Sequence, residues 1–257
     1  MSGTRSHSRP EPATEAGGSA LLIAAHGDCG GEGGNVLASE LARRIRLSRL
    51  FDEVTVGYMR CKPSIEEAAA SISSGRIRIY PLFMSDGYYV SDAIPQRLGI
   101  ANGIDALGHA VSFATPLGLH PKLPSLLLTA ASGAALGTGV PPASATLLLV
   151  AHGSSNTPHS ADVARQVAGA MASQKVFGSV EVSFLEEAPL FPDVLKSCQR
   201  PAFILGLFAG SGLHADEDLH RMVTEAGDPR LHIVERLGGY AGIIELVAAD
   251  LSQRTGS

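Results

Sequence analysis

Two short apolar segments of the chain each end in a histidine, and the same residues surround both. Leu21–Gly27 ends in Ala-His-Gly, as does Leu147–Gly153, so His26 and His152 stand 126 residues apart in matching positions. A histidine at the end of a buried strand can bind a divalent metal or transfer a proton near neutral pH. Its recurrence in both halves of the chain favours a functional role over a purely structural one.

A further histidine, His214, follows a Ser-Gly turn in the C-terminal half. The turn comes after the apolar segment 202–208, and we expect His214 at the same rim as His152. A structural zinc site has four ligands, and no cysteine lies near this pair. The two imidazoles therefore suit transient metal binding or proton transfer, and the sequence leaves both open. In the N-terminal half, Tyr89 stands in place of the second histidine.

Two adjacent carboxylates, Glu186 and Glu187, follow another apolar segment and precede Pro189. Either could face the same crevice as a weak metal ligand or proton acceptor, and either could be a solvated surface residue. The matching residues of the N-terminal half are Arg60 and Cys61, so that half retains no carboxylate at this point.

The elements that must position these residues occur twice. Four segments recur in the same order at spacings of 120 to 126 residues, which is the pattern of a duplicated lobe. Each copy reads as β-α-β-α-β-α-β-α, which predicts an α/β fold with a parallel sheet flanked by helices in each lobe. The predicted strands of the two copies are 21–25, 54–58, 77–83 and 109–113, and then 147–151, 180–184, 202–208 and 232–234.

The predicted organisation has four parts. A disordered tail covers residues 1–18, an N-terminal lobe 19–129, an Ala/Gly/Ser/Pro-rich linker 130–145 and a C-terminal lobe 146–257. Ligands of open parallel sheets bind at the carboxyl ends of the strands. We therefore expect the histidines and carboxylates described above to share one crevice.

Composition excludes several classes of function. A net charge of −5 and an aromatic content of 5% argue against a nucleic-acid partner, which calls for a basic face or stacking platforms. No apolar run is long enough for a signal peptide or a membrane span. The cysteines are Cys29, Cys61 and Cys198; their odd number and spacing exclude a disulfide scaffold or a cysteine zinc site, and favour a reducing cytoplasm.

Taken together, the motifs resemble those of the sirohydrochlorin chelatases, the CbiX/SirB-type class II chelatases, in their two-lobed long form. The resemblance rests on Ala-His-Gly after an apolar strand, on Phe-Leu-Glu before a proline, and on Gly-x-His followed four residues later by Asp218. It extends over nearly the whole chain from about residue 19, duplication included. It implies ATP-independent insertion of Co²⁺ or Fe²⁺ into a sirohydrochlorin-type tetrapyrrole, with the metal as substrate and no permanently bound cofactor.

The resemblance also assigns roles to residues. It implies that His152 and His214 bind the metal and act in catalysis, together with Glu186. Four residues are expected to form the substrate-binding wall of the other lobe: His26, Tyr89, Asp92 and Arg97. Arg60 and Lys62 are further basic candidates for binding the carboxylates of the substrate.

Some residues depart from the family pattern. Tyr89 replaces a histidine, and Ala93 stands where the family has an aspartate before Ile-Pro. These changes predict one competent lobe and one partly degenerate lobe that closes the cleft. The alternative is a non-catalytic tetrapyrrole- or metal-binding relative. A hydrolase is disfavoured because no nucleophile motif is present. The physiological metal, the cobalamin or sirohaem pathway and the oligomeric state stay open.

Overall fold

A computed structural model describes residues 18–27, 36–153, 159–209, 213–234 and 241–253. The expected tail lies outside these residues apart from Gly18. Within them the chain folds into two lobes of matching topology, in agreement with the predicted α/β class.

Among its described residues, lobe one contains four strands and four α-helices. Its strands are β1 (Ser19–Ala25), β2 (Glu53–Tyr58), β3 (Arg76–Leu82) and β4 (Ala110–Phe113). Its helices are α1 (Val36–Ser48), α2 (Ile65–Ala70), α3 (Ile94–Leu98) and α4 (Leu123–Gly137), with a π-helical turn (Tyr89–Ala93) leading into α3.

Lobe two repeats this order. Its strands are β5 (Thr146–Ala151), β6 (Ser179–Phe184), β7 (Ala202–Gly206) and β8 (Leu231–Ile233). Its helices are α5 (His159–Ser173), α6 (Phe191–Ser197), α7 (Leu213–Ala226) and α8 (Ala241–Gln253).

Each sheet is wholly parallel, with the strand orders β2-β1-β3-β4 and β6-β5-β7-β8. The first strand of each lobe lies inside its sheet and is buried along almost its entire length, which explains its continuous apolar sequence. The chain first runs to one side of this strand and then crosses to the other. Such a switch opens a crevice beyond the carboxyl end of the strand, where the two Ala-His-Gly segments lie.

The two lobes share a core. Buried residues of α1, α4, α5 and α8 form one apolar cluster with the facing sides of both sheets. The terminal helices cross over: α8 of lobe two packs on α1, and α4 of lobe one packs on α5 and β7. A bidentate ion pair adds to this contact, since Nε and Nη2 of Arg44 lie 2.8 and 3.0 Å from the carboxylate oxygens of Glu245. The outer face of each sheet is covered by helices of its own lobe.

The connection between the lobes is shorter than expected. The segment 130–145 was predicted as a linker, but α4 continues to Gly137, and only residues 138–145 connect the lobes. Ala131 and Ala135 are fully buried in the shared core. Alanine has a high helix propensity, and residues 130–137 of the predicted linker therefore form the packed end of α4.

The cysteines also differ from the expectation. Cys61 is disulfide-bonded, whereas Cys198 is a buried free thiol. A single disulfide does not make a disulfide scaffold, but the odd number of cysteines did not exclude one disulfide, and Cys61 takes part in one. No helix among the described residues is long and apolar enough to cross a membrane.

Candidate functional site

The crevice is built around two histidines, one from each lobe. His26 follows β1 and His152 follows β5, and both side chains are accessible to solvent. Gly27 and Gly153 come next, with φ of +81° and +73°, a backbone region that favours glycine. This sharp turn at the end of a buried strand holds each histidine at the mouth of the crevice.

The wall of lobe two brings His152, Phe208 and Glu186 together. The imidazole of His152 meets the Phe208 ring edge to face, with 5.0 Å between the ring centroids. The amide of Glu186 donates a hydrogen bond of 3.0 Å to the carbonyl of His152. The carboxylate of Glu186 is exposed and close enough to act on the charge of the imidazole.

The surroundings of His152 favour its neutral form. Protein surrounds most of the imidazole although the crevice leaves it accessible, and this burial lowers its pKa below the usual value. The carboxylate of Glu186 acts in the opposite direction, and the imidazole of His26 lowers the pKa of His152 further. The histidines of the two lobes therefore lie close enough to interact across one crevice.

Glu187 has different surroundings from Glu186. Its carboxylate oxygen lies 3.8 Å from Nη2 of Arg165, whose guanidinium stands 5.0 Å above the ring of Phe184. A Cβ placed on Gly153 would lie only 2.7 Å from Oε1 of Glu187. The side chain of Glu187 thus packs beneath the turn, and Glu186 is the more accessible of the two carboxylates.

His214 is the second residue of α7, and only its backbone is described. The pairing of its side chain with His152 therefore lies outside the described residues. Among the side chains that the structure does describe, no group of three or more histidine, cysteine, aspartate and glutamate residues has the arrangement of a metal site.

The wall of lobe one is aromatic. Oη of Tyr89 lies 3.2 Å from Nε2 of His26, and the ring of Tyr89 stacks on Phe83 at 5.5 Å with an interplanar angle of 17°. Tyr88 lies beside Tyr89 and is 60% exposed. We call Phe83, Tyr88 and Tyr89 the aromatic patch. It presents a surface of aromatic rings next to the histidine of this lobe.

Asp92 belongs to the π-helical turn that also carries Tyr89. Its carboxylate is exposed and accepts a hydrogen bond from the hydroxyl of Ser91. Asp92 therefore lies three residues after Tyr89 of the aromatic patch, and its hydrogen bond is to the neighbouring residue of the same turn.

Arg97 is held by the protein itself. Its Nε and Nη2 donate to the two oxygens of Glu66 at 2.6 and 2.5 Å, and Nη1 donates to the carbonyl of Met59 at 2.7 Å. Hydrogen bonds from this guanidinium lower the pKa of the Glu66 carboxyl. The expectation that Arg97 binds substrate is not supported by this geometry, which uses all three of its nitrogens to join α3 to α2 and the end of β2.

Sequence reasoning missed several residues of the crevice. Phe208 and Phe83 occupy matching positions after β7 and β3, 125 residues apart, and each packs against a ring of its own wall. The repeat contained this signal, because the two phenylalanines align within it. Arg165 and Tyr88 carried no comparable signal, since their roles depend on contacts between distant parts of the chain.

Comparison with known proteins agrees with this architecture. The CbiX family matches the chain twice, over residues 20–134 and 146–254, one match for each lobe. The chain belongs to the CbiX family. The two matched ranges account for the duplication and include α8 and most of α4.

This CbiX-family chain resembles one curated protein and several proteins of known structure. The chain is 26% identical over 219 residues to a probable sirohydrochlorin cobaltochelatase of Halobacterium salinarum, and the match covers 78% of this chain and 75% of that protein. The structure of a CbiX described as the terminal enzyme of siroheme biosynthesis in denitrifying bacteria aligns with a TM-score of 0.71 and 25% identity. That alignment covers 92% of this chain and 99% of the other.

A third relative shares the fold. SirB from Bacillus subtilis, solved with Fe³⁺, aligns with a TM-score of 0.74 and 18% identity over 93% of this chain and 96% of its own. The class II chelatase-like fold expected from the sequence is therefore confirmed, as is the two-lobed long form.

Proposed function

We propose that this chain catalyses the ATP-independent insertion of a divalent metal, Co²⁺ or Fe²⁺, into a sirohydrochlorin-type tetrapyrrole, in cobalamin or sirohaem biosynthesis. The observation that carries the proposal is the pair of strand-end histidines, His26 and His152, which interact across the crevice with Glu186 beside His152. Membership of the CbiX family and the names of the relatives support the class of substrate.

In this proposal, lobe two binds the metal. Metal insertion must replace part of the water shell of the cation, and a neutral imidazole is a suitable ligand. Burial lowers the pKa of His152, so the imidazole is neutral and can coordinate at neutral pH. We assign His214 as the second ligand. Two imidazoles are too few to retain the metal, which can therefore pass on to the ring.

The same wall of lobe two also accepts the protons that leave the ring. Insertion of a divalent metal replaces the two protons of the pyrrole N–H groups, and these protons need an acceptor. Glu186 is exposed, joined to His152 through the backbone and placed to act on its charge. We assign Glu186 as acceptor of a pyrrole proton, either directly or through His152 once the metal has left it. Glu187, held by Arg165 and Gly153, supports the turn.

Lobe one binds the tetrapyrrole ring in this proposal. The aromatic patch offers flat apolar surface to one face of a tetrapyrrole, and ring stacking of this kind favours offset or edge-to-face contacts. The hydrogen bond between His26 and Tyr89 holds both side chains in place at its edge. Asp92 lines the same turn. Arg97 stabilises the wall through Glu66.

A direct assay tests the proposal. Protein, sirohydrochlorin and either Co²⁺ or Fe²⁺ are mixed without oxygen or ATP, and the absorbance of the ring is followed against a protein-free mixture. We expect clear acceleration with at least one metal, unchanged in His220→Ala, because His220 is an exposed histidine of α7 outside the proposed site. Ring binding without acceleration for either metal would instead support the non-catalytic alternative.

A further inference from the structure

Phe208 connects the crevice of lobe two to the core beneath it. Its ring meets the imidazole of His152 edge to face, with 5.0 Å between the ring centroids and an interplanar angle of 63°. Phe208 is only 9% exposed and belongs to the apolar cluster that also contains Ala215 and Leu219 of α7. The neighbour of His152 is therefore itself held by the core, whereas the imidazole is accessible from the crevice.

The position of this ring depends on Gly206, the last residue of β7. A Cβ placed on Gly206 would lie 2.7 Å from Cε2 of Phe208, so the ring folds back over the end of its own strand into space that a side chain would need. The amide of Leu207 donates a hydrogen bond of 2.7 Å to the carbonyl of Val150 in β5. This bond holds the end of β7 beside the strand that leads to His152.

Lobe one arranges the matching residues differently. Tyr89 stacks on Phe83, the counterpart of Phe208, at 5.5 Å and meets His26 edge to face at 5.2 Å. The hydroxyl oxygen of Tyr89 lies 3.2 Å from Nε2 of His26, so one imidazole nitrogen of lobe one has a hydrogen-bonding partner in its own wall. Phe208 offers no hydrogen-bonding group, and its contact with His152 therefore leaves both imidazole nitrogens for other partners.

We propose that Phe208 is a positioning residue for metal binding, and that its ring holds the imidazole of His152 in the orientation that presents a nitrogen to the crevice. That the ligand is a metal rests on the proposed function. An imidazole that is already oriented loses less side-chain freedom when it coordinates a cation, so this contact raises the affinity for the metal. The phenyl ring restrains the imidazole by edge-to-face packing alone.

Calorimetric titration of the full-length protein with Co²⁺ alone, in the absence of any tetrapyrrole, tests this role. The part of the binding that is lost in His152→Ala defines the site. At this site we expect Phe208→Leu to raise the Kd for Co²⁺ about 3- to 10-fold, the scale of one aromatic contact. An unchanged Kd in Phe208→Leu overturns the proposal.

Phe203→Leu is the matched control for lost core packing. Phe203 is a fully buried phenylalanine of β7 whose ring packs against Phe177 and His232. We expect this variant to lower the midpoint of urea unfolding at least as much as Phe208→Leu does, and to leave the Kd for Co²⁺ within about twofold of the wild type. An equal rise in Kd for the two variants would mean that lost stability weakens the metal site, and it overturns the proposal.

Gly206→Ala displaces the ring of Phe208 without replacing it, because the added Cβ takes space that the ring occupies. We expect this variant to weaken Co²⁺ binding about 3- to 10-fold as well. The double variant with Phe208→Leu should bind Co²⁺ no more weakly than Phe208→Leu alone, since the ring that the Cβ displaces is already gone. Losses that add in the double variant contradict the proposal.

Steady-state kinetics give a second readout that a general loss of packing would not produce. Phe208→Leu should raise KM for Co²⁺ and leave KM for sirohydrochlorin within about twofold, because Phe208 acts on the metal-binding histidine. Phe83→Leu changes the matching residue of lobe one and should show the reverse pattern, since Phe83 belongs to the aromatic patch. A rise confined to KM for sirohydrochlorin in Phe208→Leu overturns the proposal.

The Co²⁺ titration also separates this inference from the proposed function. A higher Kd in Phe208→Leu, with a wild type that inserts neither Co²⁺ nor Fe²⁺, would leave the inference standing and remove the proposed function. Normal metal insertion with an equal Kd in the two proteins would remove the inference alone. A wild type that neither binds Co²⁺ through His152 nor inserts either metal overturns both.

Discussion

Lobe one and lobe two place the same backbone around the crevice and fill it with different side chains. In both, a histidine follows the central strand, a glycine with positive φ follows the histidine, and the end of the second strand hydrogen-bonds to the histidine carbonyl. Around this shared backbone, lobe one has aromatic rings and an arginine, whereas lobe two has a glutamate and a phenylalanine beside its histidine. The duplicated backbone is therefore common to both lobes, and the side chains around the two histidines differ.

The shared scaffold can be tested with matched core residues. Leu21 in β1 and Leu147 in β5 are both fully buried in the common cluster. We expect each substitution to alanine to lower the free energy of unfolding by about 2–5 kcal/mol, because each leaves a cavity in a close-packed core. Urea denaturation followed by circular dichroism measures both. Separate transitions for the two lobes would contradict the single core.

The chemistry of lobe two can be tested with its adjacent carboxylates. We expect Glu186→Gln to lower kcat about 10- to 100-fold, since general-base catalysis contributes on this scale. Glu187→Gln is the matched neighbour and should change kcat by less than about threefold, because Glu187 packs against Gly153 and Arg165. Stopped-flow absorbance of metal insertion gives both values. The reverse ranking would assign the proton acceptor to Glu187.

Ring binding by lobe one can be tested at Tyr89. Replacement by alanine removes the ring that stacks on Phe83, and we expect KM for the tetrapyrrole to rise about 5- to 10-fold, the scale of one aromatic contact. Replacement by phenylalanine keeps the stack and loses only the hydrogen bond to His26, so KM should change by less than about twofold. Equal losses in the two variants would mean that the hydroxyl, not the ring, binds substrate.

The smallest expected effect is the electrostatic coupling between the walls. Because His26 lowers the pKa of His152 and Glu186 raises it, we expect His26→Ala to raise that pKa and Glu186→Gln to lower it. Histidine NMR titration of the metal-free protein measures both directions. An unchanged pKa in His26→Ala would mean that the two histidines do not share one crevice.

The same pKa affects stability, with a definite sign. The pKa of His152 in the folded protein lies below the value of about 6.5 for a free imidazole, so the unfolded chain binds more protons between the two values. This contribution to stability is present above about pH 6.5 and is lost as pH falls towards the lowered pKa. His152→Gln should remove this part of the pH dependence of the urea midpoint.

The sequence predicted the parts of the molecule that depend on local pattern. The buried central strands are continuous apolar runs, and the repeat exposed His26 and His152 as equivalents. The crossing of α4 and α8 could not be predicted, because an apolar helix face does not reveal which sheet it covers. The extent of α4 was misjudged for a related reason, since its alanines resemble a spacer until they are packed.

For the candidate site residues, prediction from the sequence was limited by contacts with residues that are distant along the chain. The sequence could not separate Glu186 from Glu187, because the distinction rests on Arg165 and Gly153 packing against one of them. Arg97 looked available for substrate because its partner Glu66 lies 31 residues away on another helix. The sequence predicted the chemistry and the lobe of each residue, and the tertiary contacts showed which side chains are held by other residues of the protein.

The division of labour between the lobes is tested most directly by comparing His152→Ala with His26→Ala in the metal-insertion assay at saturating sirohydrochlorin. We expect His152→Ala to lower kcat about 100-fold or more, the scale of removing a catalytic acid–base group. For His26→Ala we expect kcat to fall by less than about fivefold and KM for the ring to rise. Equal losses in kcat for the two variants would contradict this division, because both lobes would then share the chemistry.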